Sequence, residues 1–151
     1  MLGELNQPQI DQLLRAEAIG RIGCHAEGRT YVVPVTYVYD GQAIYGHTGE
    51  GLKLRMMRAN PEVCFEVEQV DNMANWQSAI VWGTFEELHG AEQERAMALL
   101  LTRLLPLMAS ESSQPSHGLS STGADRTSTR DGPAIMYRIR ISACTGRFEK
   151  R

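Results

Sequence analysis

Apolar and polar positions along the chain change their period several times, and each change marks an element. Residues 6–17 place Ile10, Leu13 and Leu14 on one face, with Asn6 in the N-cap position and Pro8 in the first turn, which predicts a short helix. Residues 19–25 read as a strand closed by the turn-like AEGR. The run YVVPVTYVY within 30–39 is β-branched and aromatic almost throughout and is the strongest strand signal. Pro34 interrupts it. A proline donates nothing to a ladder, so this position lies at an edge, at a bulge or facing a ligand. Asp40-Gly41 is a hairpin turn signal and 42–47 the return strand. A glycine-bearing turn then leads into a short amphipathic helix carrying Leu52, Met56 and Met57, stopped by Asn60-Pro61. Residues 62–69 alternate Val63, Phe65 and Val67 with polar side chains, as a half-buried strand does. Residues 79–87 form another strand. The longest helix spans 91–108, its stripe of Met97, Leu100, Leu101, Leu104 and Leu105 suiting core or dimer contact. A last strand, 134–147, alternates Tyr137, Ile139, Ile141 and Ala143 against Met136, Arg138, Arg140 and Ser142.

The sum is about six strands with helices at the sheet edges, a mainly β barrel or sandwich in a single domain, 1–151. Residues 109–133 break this pattern. They are Ser, Thr, Gly and Pro with almost nothing to bury, so they cannot offset their ordering entropy and are expected to form a mobile loop.

Composition narrows the function. A net charge of −3 argues against nucleic acid as a partner, because phosphate neutralisation needs a clustered excess of Lys and Arg. The three cysteines, Cys24, Cys64 and Cys144, are far apart and form neither a disulfide framework nor a zinc pattern. The N-terminus lacks a basic region followed by an apolar core, and no apolar run reaches the length of a membrane span. A cytoplasmic protein with reduced thiols is expected.

The candidate chemistry lies in GHTGEGLK, residues 46–53. A strand ends in His47-Thr48, turns through Gly49 and Gly51 and enters a helix with Lys53 in its first turn. Helix N-termini present unpaired backbone N–H groups, and Thr48, His47 and Lys53 add donors and a positive charge, which together make a cradle for one phosphate. On spacing alone, an ordinary strand–turn–helix with a solvated lysine remains open.

Three segments in order, VPVTYVYDGQAIYGHTGEGLKLRMMRANPEVCFEVE, WQSAIVWGTFEEL and the terminal TGRF, resemble the pyridoxamine phosphate oxidase-like flavin-binding split barrels. The resemblance covers 6–105 and 134–148 and looks nearest to the nitroimidazole-resistance (Nim) group. It implies a split β-barrel of the FMN-binding type, and a homodimer holding FMN at its interface. It assigns the FMN phosphate to His47, Thr48, Gly51, Leu52 and Lys53. It sets Arg21, Ile22, Val33, Pro34 and Val35 along the isoalloxazine, largely through backbone groups. Trp76 and Ser78 are brought to the ribityl chain or ring edge. His47 matches a histidine near the flavin and is the implied catalytic residue, which makes a flavin-dependent oxidoreductase the leading reading. A flavin carrier, store or sensor, and a split barrel using a deazaflavin or haem, stand as alternatives.

The sequence departs from true pyridoxamine phosphate oxidases at two places. Their serine–arginine–lysine phosphate clamp reads Gly51-Leu52-Lys53 here, and the chain ends TGRFEKR without their substrate-binding tryptophan and arginine motif. Arg55, Arg58 or a partner-chain residue could supply the lost charge. Arg138, Arg140 and Arg147 line either a ligand mouth or a solvated strand face.

Overall fold

A computed structural model describes residues 1–108 and 134–151; the expected loop at 109–133 lies outside the described residues. The described chain runs β1 (Leu2–Glu4), α1 (Gln7–Ala16), β2 (Ile19–Ala26), β3 (Arg29–Thr36), β4 (Val38–Tyr39), β5 (Ala43–Thr48), α2 (Leu52–Ala59), β6 (Glu62–Asn72), β7 (Asn75–Glu87), α3 (Ala91–Leu104) and β8 (Ile135–Glu149). The strands form one antiparallel sheet in the order β3-β2-β6-β7-β8-β5-β4, with β1 added along β8. It is a half-barrel with three helices, the split-barrel architecture. The six expected strands are all present, and two short ones join them. Residues 30–39 divide because Tyr37 leaves the ladder. Its N–H goes to the Ala18 carbonyl, and its fully buried ring meets Phe65 edge-on at 4.8 Å.

Helix α1 starts where its cap dictates. The Asn6 side chain accepts from the Gln9 N–H at 3.0 Å, and the Gln9 side chain accepts from the Asn6 N–H at 2.8 Å. Its buried face, Ile10, Leu13 and Leu14, joins the barrel core with Ile22, Phe65, Val81 and Ile139. The Tyr37 hydroxyl donates to the Leu14 carbonyl at 2.7 Å and ties the helix down. A second cluster lies on the other face of the sheet, where Ala96, Met97, Leu100 and Leu104 of α3 cover Val38, Tyr45 and Met136. The α3 stripe is therefore core. Leu105 falls outside it, in a turn of 3-10 helix (Leu105–Leu107), and is exposed.

Among the described residues, the outer face of β2, β3, β6 and β7 carries no helix. Register places Val32, Gly23, Cys64, Trp82 and Ala143 in one row across it, with Pro34, Arg21, Glu66, Ile80 and Thr145 in the next. Val32, Ile80 and Trp82 are exposed there. Pro34 sits on β3, which is an edge strand, so its missing N–H costs no ladder bond.

Candidate functional site

The site begins at the end of β5, which is buried along its whole length. Alternation divides its side chains. Ile44, Gly46 and Thr48 stand opposite Ile139, Tyr137 and Ile135 of the barrel core, while Tyr45 and His47 stand opposite Arg138 and Met136 on the α3 side. Gly46 is required: a Cβ there would collide with the Tyr137 hydroxyl and ring. His47 and Thr48, adjacent in sequence, therefore project to opposite faces. Thr48 is 4 % exposed and its hydroxyl donates to the Gly49 carbonyl at 2.9 Å, so it must turn from that bond to serve a ligand as donor.

Helix α2 follows directly. Gly51 is its N-cap and offers no side-chain cap, so the first-turn N–H groups have no partner within the helix. A Cβ built on Gly51 meets no atom within 4 Å, so the cradle opens onto space. Lys53, in that first turn, is half-buried and has no carboxylate partner among the described residues. Burial pushes the pKa of its ammonium below the usual lysine value, partly offset by the nearby Cys24. Cys24, buried beneath it, has its thiol pKa pushed up by burial. A desolvated cation beside unpaired helical N–H groups is a donor set that fits a phosphate.

The other expected residues fall into two groups. Arg21 and Pro34 share the outer sheet face, where Arg21 pairs with Glu66 at 3.4 Å and Glu68 at 3.1 Å. Ile22 and Val35 point into the core and Val33 packs against it, so these three can offer a ligand only backbone groups. Trp76 and Ser78 lie toward the opposite end of the sheet from α2. Ser78 is opposite Glu68 on β6, whereas Cys24 beneath Lys53 is opposite Val63, five residues and about 16 Å along that strand. Trp76 instead helps line a cavity of about 480 Å³ with Met1, Leu5, Gln9, Gln69 and Phe148. One chain thus brings Thr48, Gly51, Leu52 and Lys53 together and leaves Trp76 and Ser78 apart from them.

Among the candidate replacements for the missing clamp arginine, Arg58 is committed elsewhere: it pairs with Glu50 at 3.3 Å and with Glu87. Arg55 has no carboxylate partner among the described residues and lines a groove shared with Arg29. That groove was not legible in the sequence, because Arg29 belongs to the β2–β3 hairpin and meets α2 only in the fold. Arg138 and Arg140 hold Glu86 at 2.8 and 2.5 Å. Hydrogen bonds from Arg140 and Arg138 draw the Glu86 pKa down to about 2, and the trio straps β7 to β8.

The pyridoxamine 5'-phosphate oxidase family pattern matches residues 6–148. The chain belongs to this family. Within the curated proteins it is 28% identical, over 105 residues, to an uncharacterised protein of Rhizobium meliloti, covering 68% of this chain and 70% of that one. Among solved structures it is similar to a FAD-binding protein of Mesorhizobium loti, with a TM-score of 0.77, 25% identity and 99% of both chains covered. A 5-nitroimidazole antibiotic resistance protein of Bacteroides thetaiotaomicron shares the fold, with a TM-score of 0.72, 21% identity, and 98% of this chain and 87% of that chain covered. The Nim group is thus one of several distant structural neighbours of this family member. The chain shares the split-barrel fold of these neighbours, and no helix among its described residues is long and apolar enough to cross a membrane.

Proposed function

We propose that the chain binds the FMN unit of a flavin, with the phosphate held by the α2 N-terminus, Thr48 and Lys53, and that it works as a flavin-dependent oxidoreductase on a small molecule in the cytoplasm. The observation that carries this reading is Lys53: a half-buried ammonium, without a carboxylate partner among the described residues, in the uncapped first turn of α2. Such a charge costs free energy until an anion meets it. The FAD-binding character of the Mesorhizobium loti neighbour supports a flavin as the source of that anion.

A bound isoalloxazine would supply the redox chemistry, and the protein's share is binding, orientation and exclusion of water. Backbone groups of β2 and β3 at Arg21, Ile22, Val33, Pro34 and Val35 are assigned to the ring. Trp76 and Ser78 are assigned to the ribityl or ring edge of a flavin held between subunits, their distance from Lys53 within one chain being the reason for the second subunit. The uncovered outer face with Val32, Ile80 and Trp82 is the surface proposed to pair in that homodimer. His47 is assigned to orienting substrate or donating a proton. It is only 8 % exposed and turned to the α3 side. That placement favours a second reading, a flavin carrier or sensor without turnover.

The test is a pair of measurements. Apo-protein is titrated with FMN, and the loaded protein is then reduced and mixed with nitroaromatic and quinone acceptors. Tight binding with acceptor-dependent reoxidation supports the enzyme. Tight binding with reoxidation no faster than that of unbound flavin selects the carrier. Failure to bind FMN removes the proposal.

A further inference from the structure

The core face of the sheet changes character at one end. On β6 its inward side chains are Val63, Phe65 and Val67, and on β7 they include Phe85, Val81 and Ala79, all buried. The next inward positions toward the β6–β7 turn are Gln69 and Gln77, which stand opposite each other in the ladder. Two amides thus occupy places where the alternation predicts apolar side chains. They line a cavity of about 480 Å³ at the end of the half-barrel away from α2, together with Leu5, Gln9, Asp71 and Phe148. Gln77 Nε2 donates to Gln69 Oε1 at 2.6 Å. Whichever amide donates in such a pair, one carbonyl oxygen and three N–H groups are left over. Among the described residues these two side chains make no further hydrogen bond. Gln9 is fixed by its capping bond: its Oε1 accepts the Asn6 N–H, which leaves its own amide N–H groups as donors at the wall. Phe148 is fixed as well. Its ring lies so close to Gly3 of β1 that a Cβ there would meet it at 2.7 Å.

The cavity therefore joins a held aromatic ring to a set of amides with several donors and one carbonyl acceptor to spend. Its volume is in the range of small-molecule sites. Apolar side chains would pack this end of the core at less cost than half-buried amides with unspent groups, so the amides point to a ligand. We propose that the cavity binds a planar heterocycle with a cyclic imide edge, C(=O)–N(H)–C(=O), of the pyrimidine-dione or purine-dione class. The ring carbonyls accept from the glutamine N–H groups, the imide N–H donates to the remaining amide carbonyl, and Phe148 packs on the ring. Asp71 is a further acceptor for a second ring N–H. Gln69 and Gln77 share the α1 side of the sheet with Val67 and Ala79, apart from Lys53 and from the uncovered outer face, so the proposal does not rest on the flavin reading. The isoalloxazine of a flavin carries the same imide edge, and the experiment separates it from a free base.

The whole chain, with and without saturating FMN, is titrated with uracil, xanthine and N,N'-dimethyluracil. Binding is read by calorimetry and by the fluorescence of Trp76, which also lines the cavity. The variant is Gln69→Met/Gln77→Met, which replaces both partners of the hydrogen bond by apolar chains of similar size and should keep or raise the Tm. At least one dione is expected to bind the wild type in both states. N,N'-dimethyluracil, which has no imide N–H, should bind about tenfold or more weakly than uracil. The double variant should lose about tenfold or more in dione affinity, the scale of one or two hydrogen bonds. No binding of either dione overturns the proposal, as does a folded double variant that binds them unchanged. Equal affinity for N,N'-dimethyluracil overturns it too, since the cavity then reads ring shape and not the imide; this comparison needs no variant and decides even where the double variant misfolds. Diones that compete with FMN assign the cavity to the flavin, and the inference fails while the flavin reading stands. Diones bound as expected by a chain that takes up no FMN uphold the inference and remove the flavin reading.

Discussion

The phosphate-binding role proposed for Lys53 comes at the expense of the ligand-free fold. Its pKa is lowered by burial, so the unfolded chain holds that proton more tightly than the folded one. Protonated Lys53 therefore destabilises the apo-protein, and the penalty fades as pH rises toward the ordinary lysine value of 10.5. Lys53→Met should leave the apo-protein with an unchanged or higher Tm, measured by calorimetry, while weakening FMN by about 1.5–3 kcal/mol, the range for a hydrogen bond to a charged group. Riboflavin, which lacks the phosphate, should bind both proteins equally. A structural lysine would give the reverse, a lower Tm with flavin affinity intact. The same linkage sets a pH dependence. A phosphate bound beside Lys53 would raise its pKa in the complex, so binding would take up a proton between the free and bound values. FMN affinity should fall with rising pH, beginning below 10.5, and riboflavin affinity should not follow it. Isothermal titration in buffers of different ionisation enthalpy reads that proton directly. Gly46 supplies a contrasting test. Gly46→Ala forces a methyl into Tyr137, which is fully buried against the tilted Phe85 ring, and should cost about 1–3 kcal/mol of stability by urea unfolding.

At the scale of elements, the sequence exposes what is local and hides what is paired. The Asn6 cap, the Asp40-Gly41 turn and the alternation of β6 are each written in neighbouring residues, and each element forms where its signal lies. The divided strand at Tyr37 was hidden because its cause is Phe65, far away in the chain. The start of β7 at Asn75 was hidden for a similar reason. Its first residues, Asn75 to Ser78, are polar or lone aromatic, and they are held by ladders to β6 and β8 that no local pattern announces. The candidate site divides the same way. Thr48, Gly51, Leu52 and Lys53 are contiguous, and a strand–turn–helix brings contiguous residues together. Arg29 and Arg55, and the distance from Lys53 to Trp76, depend on strand order and register, which periodicity does not encode. The period of two does separate Ile22 from Arg21 and Val35 from Pro34, and it anticipates that the buried members contribute backbone alone.

For the whole molecule, the sheet has one face folded around a core and one partly uncovered. Helix α3 covers β4, β5 and the start of β8, but no helix among the described residues covers the row through Val32, Cys64 and Trp82. A second copy is the proposed cover. Light scattering should give a dimer at micromolar concentration, and Trp82→Glu, which puts a charge at the centre of that row, should give a folded monomer with unchanged far-UV circular dichroism. If Trp82→Glu remains a dimer, the subunits meet elsewhere and Trp76 and Ser78 lose their proposed route to the flavin. The central claim is more direct than its assembly: the turn from Thr48 to Lys53 holds the phosphate of a flavin. The measurement that tests it is the visible absorbance of protein passed through a desalting column after incubation with excess FMN or FAD, for the wild type and for Lys53→Met. The account predicts a yellow wild type with flavin stoichiometric to chain and a variant that loses most of its colour on the column. A wild type that emerges colourless from both flavins, or a Lys53→Met variant as yellow as the wild type, would contradict it.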